Sequence, residues 1–511
     1  MDILTGIYPF FFLLSLLGLV GWFYFRGSSY TGLMSKMFLF SFFIYLLALA
    51  FSPASLGFKL IILSRDFILM AVIVTGFQFL SRVKVLYFGA LGVLLAIFLS
   101  VAFDYWKDTF NLIKPNIALD QPQLIVHLKK DFNENSIALI KRRFDLDCRP
   151  LQLSEDAAAF FTTTISCRIP NQFLSQKDQL NWLLNRHPGI SDWEWNQQIS
   201  LITPPSKGPM EQMGSQPNNS TTDDPLNNKM WHYEKLNYSG IHEILSRYSS
   251  EIKQRTIIAI LDTGIDHQHE DLAENFVSSG EEHHGDPMGH GTHCAGIAAA
   301  VSNNGLGISS LSPTNEHYQI TSIRVLDKNG FGSKKNIAKG IIEAADKGAQ
   351  VISLSLGGPS IAPEKLYEKA VQYANRKNAI VVVAAGNAAR PAGEFSPANV
   401  KGVIAVGASN ANKELSSFSN TPEGVDLFVA APGQDIFSTL PGNRYEYFSG
   451  TSMATPLVAS LVAILKSYQP ELNTREIYDI LNRTGEPLNK REEIQLIAPF
   501  NSLELILGSK E

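Results

Sequence analysis

The sequence predicts an α/β domain, a parallel sheet with helices on both faces, filling the second half of a 511-residue chain. From Thr256 onward, short β-rich runs that are almost continuously apolar alternate with helix-length segments, as in a sheet buried on both faces. Ahead of it, residues 122–202 alternate short strands and helices in the manner of a small α+β domain. The first hundred residues add four long apolar runs, which predict an N-terminal transmembrane helix bundle.

Composition agrees with folded units. Hydrophobic residues make up 45% and charged ones 18%, which excludes wholesale disorder. With 43 basic and 48 acidic residues, net charge −5, the chain is too acidic for a general polyanion binder, so no nucleic-acid partner is expected. Charge is uneven: residues 1–114 carry +4 and the remainder −9. Three cysteines are too few for a disulfide-built scaffold.

The N-terminal runs are Ile3 to Phe25, Leu33 to Phe51, Leu60 to Leu80 and Val85 to Phe103. The first is uncharged over 23 residues, enough to cross the ~30 Å hydrocarbon layer as a helix. Asp2 stands where a signal peptide would carry basic residues, and no A-x-A site follows. Ser35 and Lys36 interrupt the second run. The third carries Arg65 and Asp66, read as an opposite-charge pair near a helix end that reaches the interface. Arg26, Lys36, Arg82 and Lys84 fall on one side of the spans, Lys59, Lys107 and Lys114 on the other. By the positive-inside rule the larger set is cytoplasmic and everything after Phe103 is outside. The expected location is therefore the cell membrane, multi-pass, with a lipid bilayer as partner.

In the small domain, strands are expected at Gln123 to Leu128, Phe160 to Ile169 and Trp193 to Ile202, and helices at Asn135 to Arg143 and Gln176 to Arg186. That order suits a ferredoxin-like sandwich. Cys148 and Cys167 would lie on neighbouring strands, as a disulfide outside the cytoplasm or as two buried thiols. Residues 203–228, rich in Pro, Ser, Asn and Thr, read as a solvated linker open to proteases.

Strands of the large domain are expected at Thr256 to Leu261, Ile320 to Val325, Val351 to Leu356, Ile380 to Ala385, Val403 to Ala408 and Leu427 to Ala430. Helices are expected at Lys335 to Lys347, Pro363 to Arg376, Thr451 to Tyr468 and Thr474 to Asn482. Reactive groups in such sheets sit at the carboxyl ends of strands. In ILDTGID, Asp262 ends an apolar strand. In GHGTHCAG, His290 precedes an Ala-rich helix, and in FSGTSMATP, Ser452 opens a long apolar one. A hydroxyl becomes a nucleophile when a base takes its proton, an imidazole can be that base, and a buried carboxylate orients the imidazole. Ser452 at a helix start also brings backbone N–H groups to a developing oxyanion. An HxxH pair alone suggests zinc, but no third ligand cluster and no H-E-x-x-H accompany it.

These three motifs closely resemble the signatures of the subtilisin-like serine peptidases, over about residues 223–485. The resemblance implies a catalytic triad of Asp262, His290 and Ser452, with His293 a structural neighbour. VVVAAGN implies Asn387 as oxyanion-hole donor and Gly386 beside the substrate. NGFG (Gly330, Phe331, Gly332) and SLSLGG (Ser355, Leu356, Gly357) resemble the edges that clamp an extended polypeptide substrate by β-augmentation. No cofactor is implied for catalysis. Asp271 and Asn303 resemble a structural calcium site, a surface turn being the other reading. Cys294 resembles the cysteine of the proteinase K branch, packed as a small apolar residue. The resemblance also makes the small domain an intramolecular propeptide-like inhibitor. The expected organisation is a transmembrane region (1–114), a propeptide-like domain (115–202), a linker (203–228) cut by the enzyme itself, and a peptidase domain (229–511). The expected function is a membrane-tethered serine endopeptidase. The alternative is a catalytically silent membrane protein that keeps the fold for binding or regulation.

Overall fold

A computed structural model describes residues 2–50, 56–80, 87, 123–170, 173, 176–201, 223–360 and 364–508. Its packing divides into two units, Met1–Ile117 and Ala118–Glu511.

In the first unit, α1 (Asp2–Tyr24), α2 (Thr31–Ala50) and α3 (Leu56–Leu80) pack around Phe12, Leu16, Val20, Tyr45, Met70, Val74 and Phe77. Gly18 lets α1 approach α2 closely, since a Cβ there would stand 2.7 Å from Phe38 N. Leu39, Phe40, Phe43, Ile68, Val72 and Phe79 point outward and are more than half exposed.

The four-span expectation is met by one helix among the described residues. Leu63–Leu80 is long and apolar enough to cross a membrane, whereas Leu14–Tyr24 and Thr31–Leu47 are shorter apolar stretches. Lys36 lies inside the second of these and lowers its hydropathy. Of the fourth run, 85–103, all but Tyr87 lies outside the described residues, as does linker segment 203–222. Asp66 also departs from expectation. It is turned into the bundle, 2% exposed, where Tyr45 Oη donates to it at 3.0 Å and Arg65 Nη2 lies 2.8 Å away. A buried carboxylate needs such donors, so only the half-exposed Arg65 keeps contact with the surroundings.

The second unit begins with an antiparallel sheet of β1 (Gln123–Leu128), β2 (Asp147–Pro150), β3 (Thr164–Arg168) and β4 (Ile190–Trp195), in the order β2-β3-β1-β4. With the helices Ala138–Arg143 and Lys177–Arg186 this is a ferredoxin-like arrangement. Cys148 and Cys167 lie opposite each other in the β2–β3 register and form a disulfide.

The expected strand from Phe160 starts later, because Ser154 caps a short helix, Glu155–Phe160, by accepting from Ala157 N. The expected strand from Trp193 is two: β4, then β5 (Gln198–Leu201). Asn196 and Gln197 break it by turning to another partner. Asn196 Oδ1 accepts from Lys335 N and Gln197 O from Lys334 N, both at 2.8 Å.

The large sheet runs β17-β18-β14-β13-β11-β9-β6-β7. Its strands are β6 (Thr256–Asp262), β7 (Tyr318–Arg324), β9 (Val351–Leu354), β11 (Ile380–Ala384), β13 (Val403–Ser409), β14 (Phe428–Pro432), β17 (Glu486–Leu488) and β18 (Arg491–Leu496). All its pairings are parallel except β17–β18. The helix Thr451–Tyr468, buried at every position, packs on one face. Lys334–Asp346 and Lys365–Arg376 cover the other, sharing a core with Ile125, Leu151 and Phe161 of the small domain. Short strands β8 (Phe331–Ser333), β10 (Leu356–Pro359) and β12 (Phe395–Ser396) form a separate sheet with β5, in the order β12-β10-β5-β8, and β15 (Ile436–Leu440) pairs with β16 (Arg444–Phe448).

Candidate active site

Asp262 closes β6 with a fully buried carboxylate. Both of its oxygens lie 2.9 Å from His290 Nδ1, and Thr263 N donates to Oδ1 at 2.7 Å. His290 opens the helix His290–Ala299, brought onto the strand end by Gly291, where a Cβ would stand 2.1 Å from Gly264 O. Asp286 fixes that helix start. Its carboxylate accepts from Gly289 N, Thr292 N, Thr292 Oγ1 and Thr263 Oγ1 at 2.7–2.8 Å, thereby satisfying otherwise orphaned donors. The sequence reading missed Asp286, although an Asp four residues ahead of the His, with Thr292 beyond it, is a recognisable capping pattern.

Burial alone would lower the His290 imidazole, but the Asp262 carboxylate reverses this and holds it well above its usual range. His290 Nε2 is buried without a hydrogen-bond partner. Its neighbour His293 is structural: Nε2 meets Glu446 O at 3.0 Å, the ring stacks on Phe448, and burial pushes it down to about 3.

Ser452 lies in the first turn of Thr451–Tyr468, and its Oγ donates to Ser355 O at 3.2 Å. Pro456, four residues on, has no N–H for the Ser452 carbonyl. Ser355 Oγ (2.8 Å) and Cys294 Sγ (3.5 Å) donate to that carbonyl instead, so Cys294 is both packed and a weak donor. Burial raises the Cys294 thiol. The ligand atoms of Asp262, His290 and Cys294 lie close enough to hold a metal ion. However, the Asp262 oxygens already face His290 Nδ1, and the raised thiol is a poor ligand. Asn387 Oδ1 accepts from Thr451 N and Thr451 Oγ1, both at 2.9 Å, which turns its amide nitrogen toward the Gly450–Ser452 corner. Gly386 stands behind it at φ +112°, where a Cβ would meet the Asn420 amide at 2.3 Å.

The groove beside Ser452 holds the chain's own strand β5. Leu201 pairs with Leu356 and Ser200 with Gly357 on one side, and Ile199 with Gly332 and Ser200 with Phe331 on the other. Leu201 N donates to Gly330 O at 2.9 Å. Gly330, Phe331, Gly332, Leu356 and Gly357 thus flank an extended segment held by main-chain pairing, while Ser355 contacts Ser452 instead.

Away from this groove, Asp271 is fully buried and accepts from Asn304 Nδ2 (3.0 Å) and Ile308 N (2.9 Å). Burial pushes its carboxyl up to about 8, with Asp224 nearby adding to the rise. Asn303, the expected partner, donates Nδ2 to Pro313 O at 2.9 Å and its backbone N–H to Asp224 Oδ2 at 2.9 Å. Asp224 also accepts from Asn304 N at 3.1 Å, so the loop 303–304 lies between the Asp224 and Asp271 carboxylates. Two buried carboxylates flanking one loop suit a hard cation.

Residues 253–496 match the family model described as the subtilase family. Thermitase of Thermoactinomyces vulgaris is 47% identical over 215 residues, covering 41% of this chain and 74% of that one. Subtilisin Savinase of Lederbergia lenta is 40% identical over 236 residues, 45% of this chain and 83% of that one. This chain belongs to the subtilase family. The thermophilic serine proteinase of Bacillus sp. (strain AK1) is 45% identical over 237 residues, and there the match spans 57% of the relative's length. Fervidolysin of Fervidobacterium pennivorans shares the fold, with TM-score 0.61 at 24% identity, over 75% of this chain and 61% of that structure. Members of this family are serine-type endopeptidases that need no cofactor for catalysis, and many bind structural calcium.

Proposed function

We propose that this subtilase is a membrane-tethered serine endopeptidase acting on extended polypeptides. The observation that carries it is the buried Asp262–His290 contact at 2.9 Å, with His290 Nε2 left for a proton from Ser452. Ser452 Oγ attacks the substrate carbonyl while His290 takes its proton, and Asp262 stabilises the resulting imidazolium. Asn387 Nδ2 and backbone N–H groups at the start of Thr451–Tyr468 stabilise the oxyanion. His290 then protonates the leaving amine, and water hydrolyses the acyl-enzyme. Reaching His290 requires Ser452 Oγ to rotate away from Ser355 O, a geometry that tightens when substrate is bound.

Residues 115–202 act as an intramolecular propeptide-like inhibitor, which accounts for a strand of this domain lying in the groove. Cleavage in the linker, 203–228, separates it from the peptidase domain, 229–511. The apolar helix Leu63–Leu80 and the apolar perimeter of its unit support anchoring in the cell membrane, with the peptidase outside the cytoplasm. Asp271, Asp224 and carbonyls of the adjoining loop hold structural calcium.

Fluorophosphonate labelling beside Ser452→Ala tests the reading. Label on the wild type alone supports it; no label on folded wild type overturns it.

A further inference from the structure

A cavity of about 200 Å³ lies at the carboxyl ends of β13, β14 and β18, walled by their last residues Ser409, Pro432 and Leu496. In parallel α/β sheets ligands bind at that edge, and Asp262 ends β6 there too. No residue of the triad lines this cavity. It is smaller than the roughly 300–1,000 Å³ of sites for drug-sized ligands, so it suits an occupant of about one residue.

Another part of the wall is the start of the helix Pro499–Leu507. Its N-cap, Ala498, offers no side-chain oxygen, and the first bond of the helix runs from Ser502 N to Ala498 O. The N–H groups of Phe500 and Asn501 therefore have no acceptor within the helix. Ser409 has no exposed surface, and its Oγ is buried without a hydrogen-bond partner. The charged residues of the wall are Lys235, Lys413 and Glu486. Lys413 and Glu486 pair with each other, whereas Lys235 pairs with no carboxylate among the described residues. One unbalanced positive charge, two open N–H groups at a helix start and a spare hydroxyl suit an anion. Trp231 and Phe500 add apolar surface that a bare inorganic anion would leave unused.

We propose that this cavity binds the free α-carboxylate end of a peptide whose last side chain is apolar. The carboxylate accepts from Phe500 N, Asn501 N and Ser409 Oγ, with the exposed Lys235 at the rim, and the last side chain lies against Trp231 and Phe500. Peptide hydrolysis creates such ends, so the site takes the chemical class that the family's reaction releases.

The full-length Ser452→Ala chain tests this, because β5 occupies its active-site groove and leaves the cavity free. In calorimetric titration at constant ionic strength, acetyl-Ala-Ala-Leu should bind saturably at one site, and its C-terminal amide at least about tenfold more weakly. Lys235 is exposed, so Lys235→Ala should keep the fold and weaken binding about fivefold. Ala498→Asp gives the Phe500 and Asn501 N–H groups a carboxylate from the chain itself, so it should abolish binding without lowering the Tm. No saturable binding, an amide as tight as the acid, or unchanged binding in both variants overturns the site. Inorganic phosphate or N-acetyl-leucine binding more tightly than the tripeptide would make it a site for free anions and overturn the peptide end.

Discussion

Glu194 Oε2 lies 2.8 Å from Lys334 Nζ, and neither side chain is more than 1% exposed. The pair joins β4 of the small domain to the helix that covers the large sheet. His127 Nε2 at 3.0 Å and Leu366 N at 2.7 Å complete the Glu194 site, while Glu364 meets Lys334 at 2.8 Å from the other side. Burial would raise the Glu194 carboxyl, but hydrogen bonds from His127 and Lys334 outweigh it and leave it below its usual range. A depressed carboxylate contributes stability above its unfolded value and loses it as pH falls through the folded one, so acid below about pH 4 loosens this contact.

Glu194→Gln should therefore weaken docking. Removing one partner of a buried pair costs about 3–5 kcal/mol, toward the lower end where the amide keeps a hydrogen bond. Calorimetry of the uncut Ser452→Ala chain should show the small domain melting separately and earlier in the double variant. An unchanged single transition would mean that the apolar contacts of Ile125, Leu151 and Phe161 alone hold the two together.

Ser452→Ala and His290→Ala should each lower kcat by about 10⁶, the scale that subtilisin itself sets, and Asp262→Asn by about 10⁴. Because Asp262 raises the His290 imidazole, the acid limb of kcat/KM should move to lower pH in the residual activity of Asp262→Asn. A limb that stays in place would assign it to another group.

Asn387→Ala should cost about 3 kcal/mol, seen as a 10²–10³-fold loss in kcat with little change in KM, because the oxyanion exists only in the transition state. A loss confined to KM would make Asn387 a ground-state contact. Loss of the Thr451 hydrogen bonds is a structural effect, so the thermal midpoint should be measured beside the kinetics.

The large domain was legible in sequence because its strands are buried on both faces and its motifs sit at strand and helix ends, where Asp262, His290 and Ser452 stand out. The short strands β8 and β10 were not read as strands, since their glycine-rich backbones carry little propensity and are ordered by pairing with β5. The split of β4 from β5 was hidden for a related reason. Asn196 and Gln197 leave the sheet to meet backbone N–H groups of a helix more than 130 residues away, and no local pattern marks that. Asp66 misled through its neighbour. An Arg-Asp pair in an apolar run reads as interfacial, but Tyr45, 21 residues earlier, draws the carboxylate inward.

Asp271 makes the last prediction, in which pH and a cation act on one group. Its folded-state value of about 8 lies far above the ordinary aspartate near 4, so the folded chain binds this proton more tightly than the unfolded chain does. Stability without a divalent cation should then fall as pH rises from about 4 to about 8, the reverse of Glu194. A cation that binds only the folded state at 100 times its Kd returns about 2.7 kcal/mol, roughly 5–10 °C for a domain of this size. The Tm gain on adding calcium to chelated Ser452→Ala protein should be large at pH 8 and small at pH 5, where the proton already neutralises the carboxyl. Asp271→Asn keeps the shape and removes the charge, so it should raise the chelated Tm at pH 8 and abolish most of the calcium response. Equal calcium gains at both pH values, or a full response in Asp271→Asn, would place the ion elsewhere and leave Asp271 a buried acid held by hydrogen bonds that include those from Ile308 and Asn304.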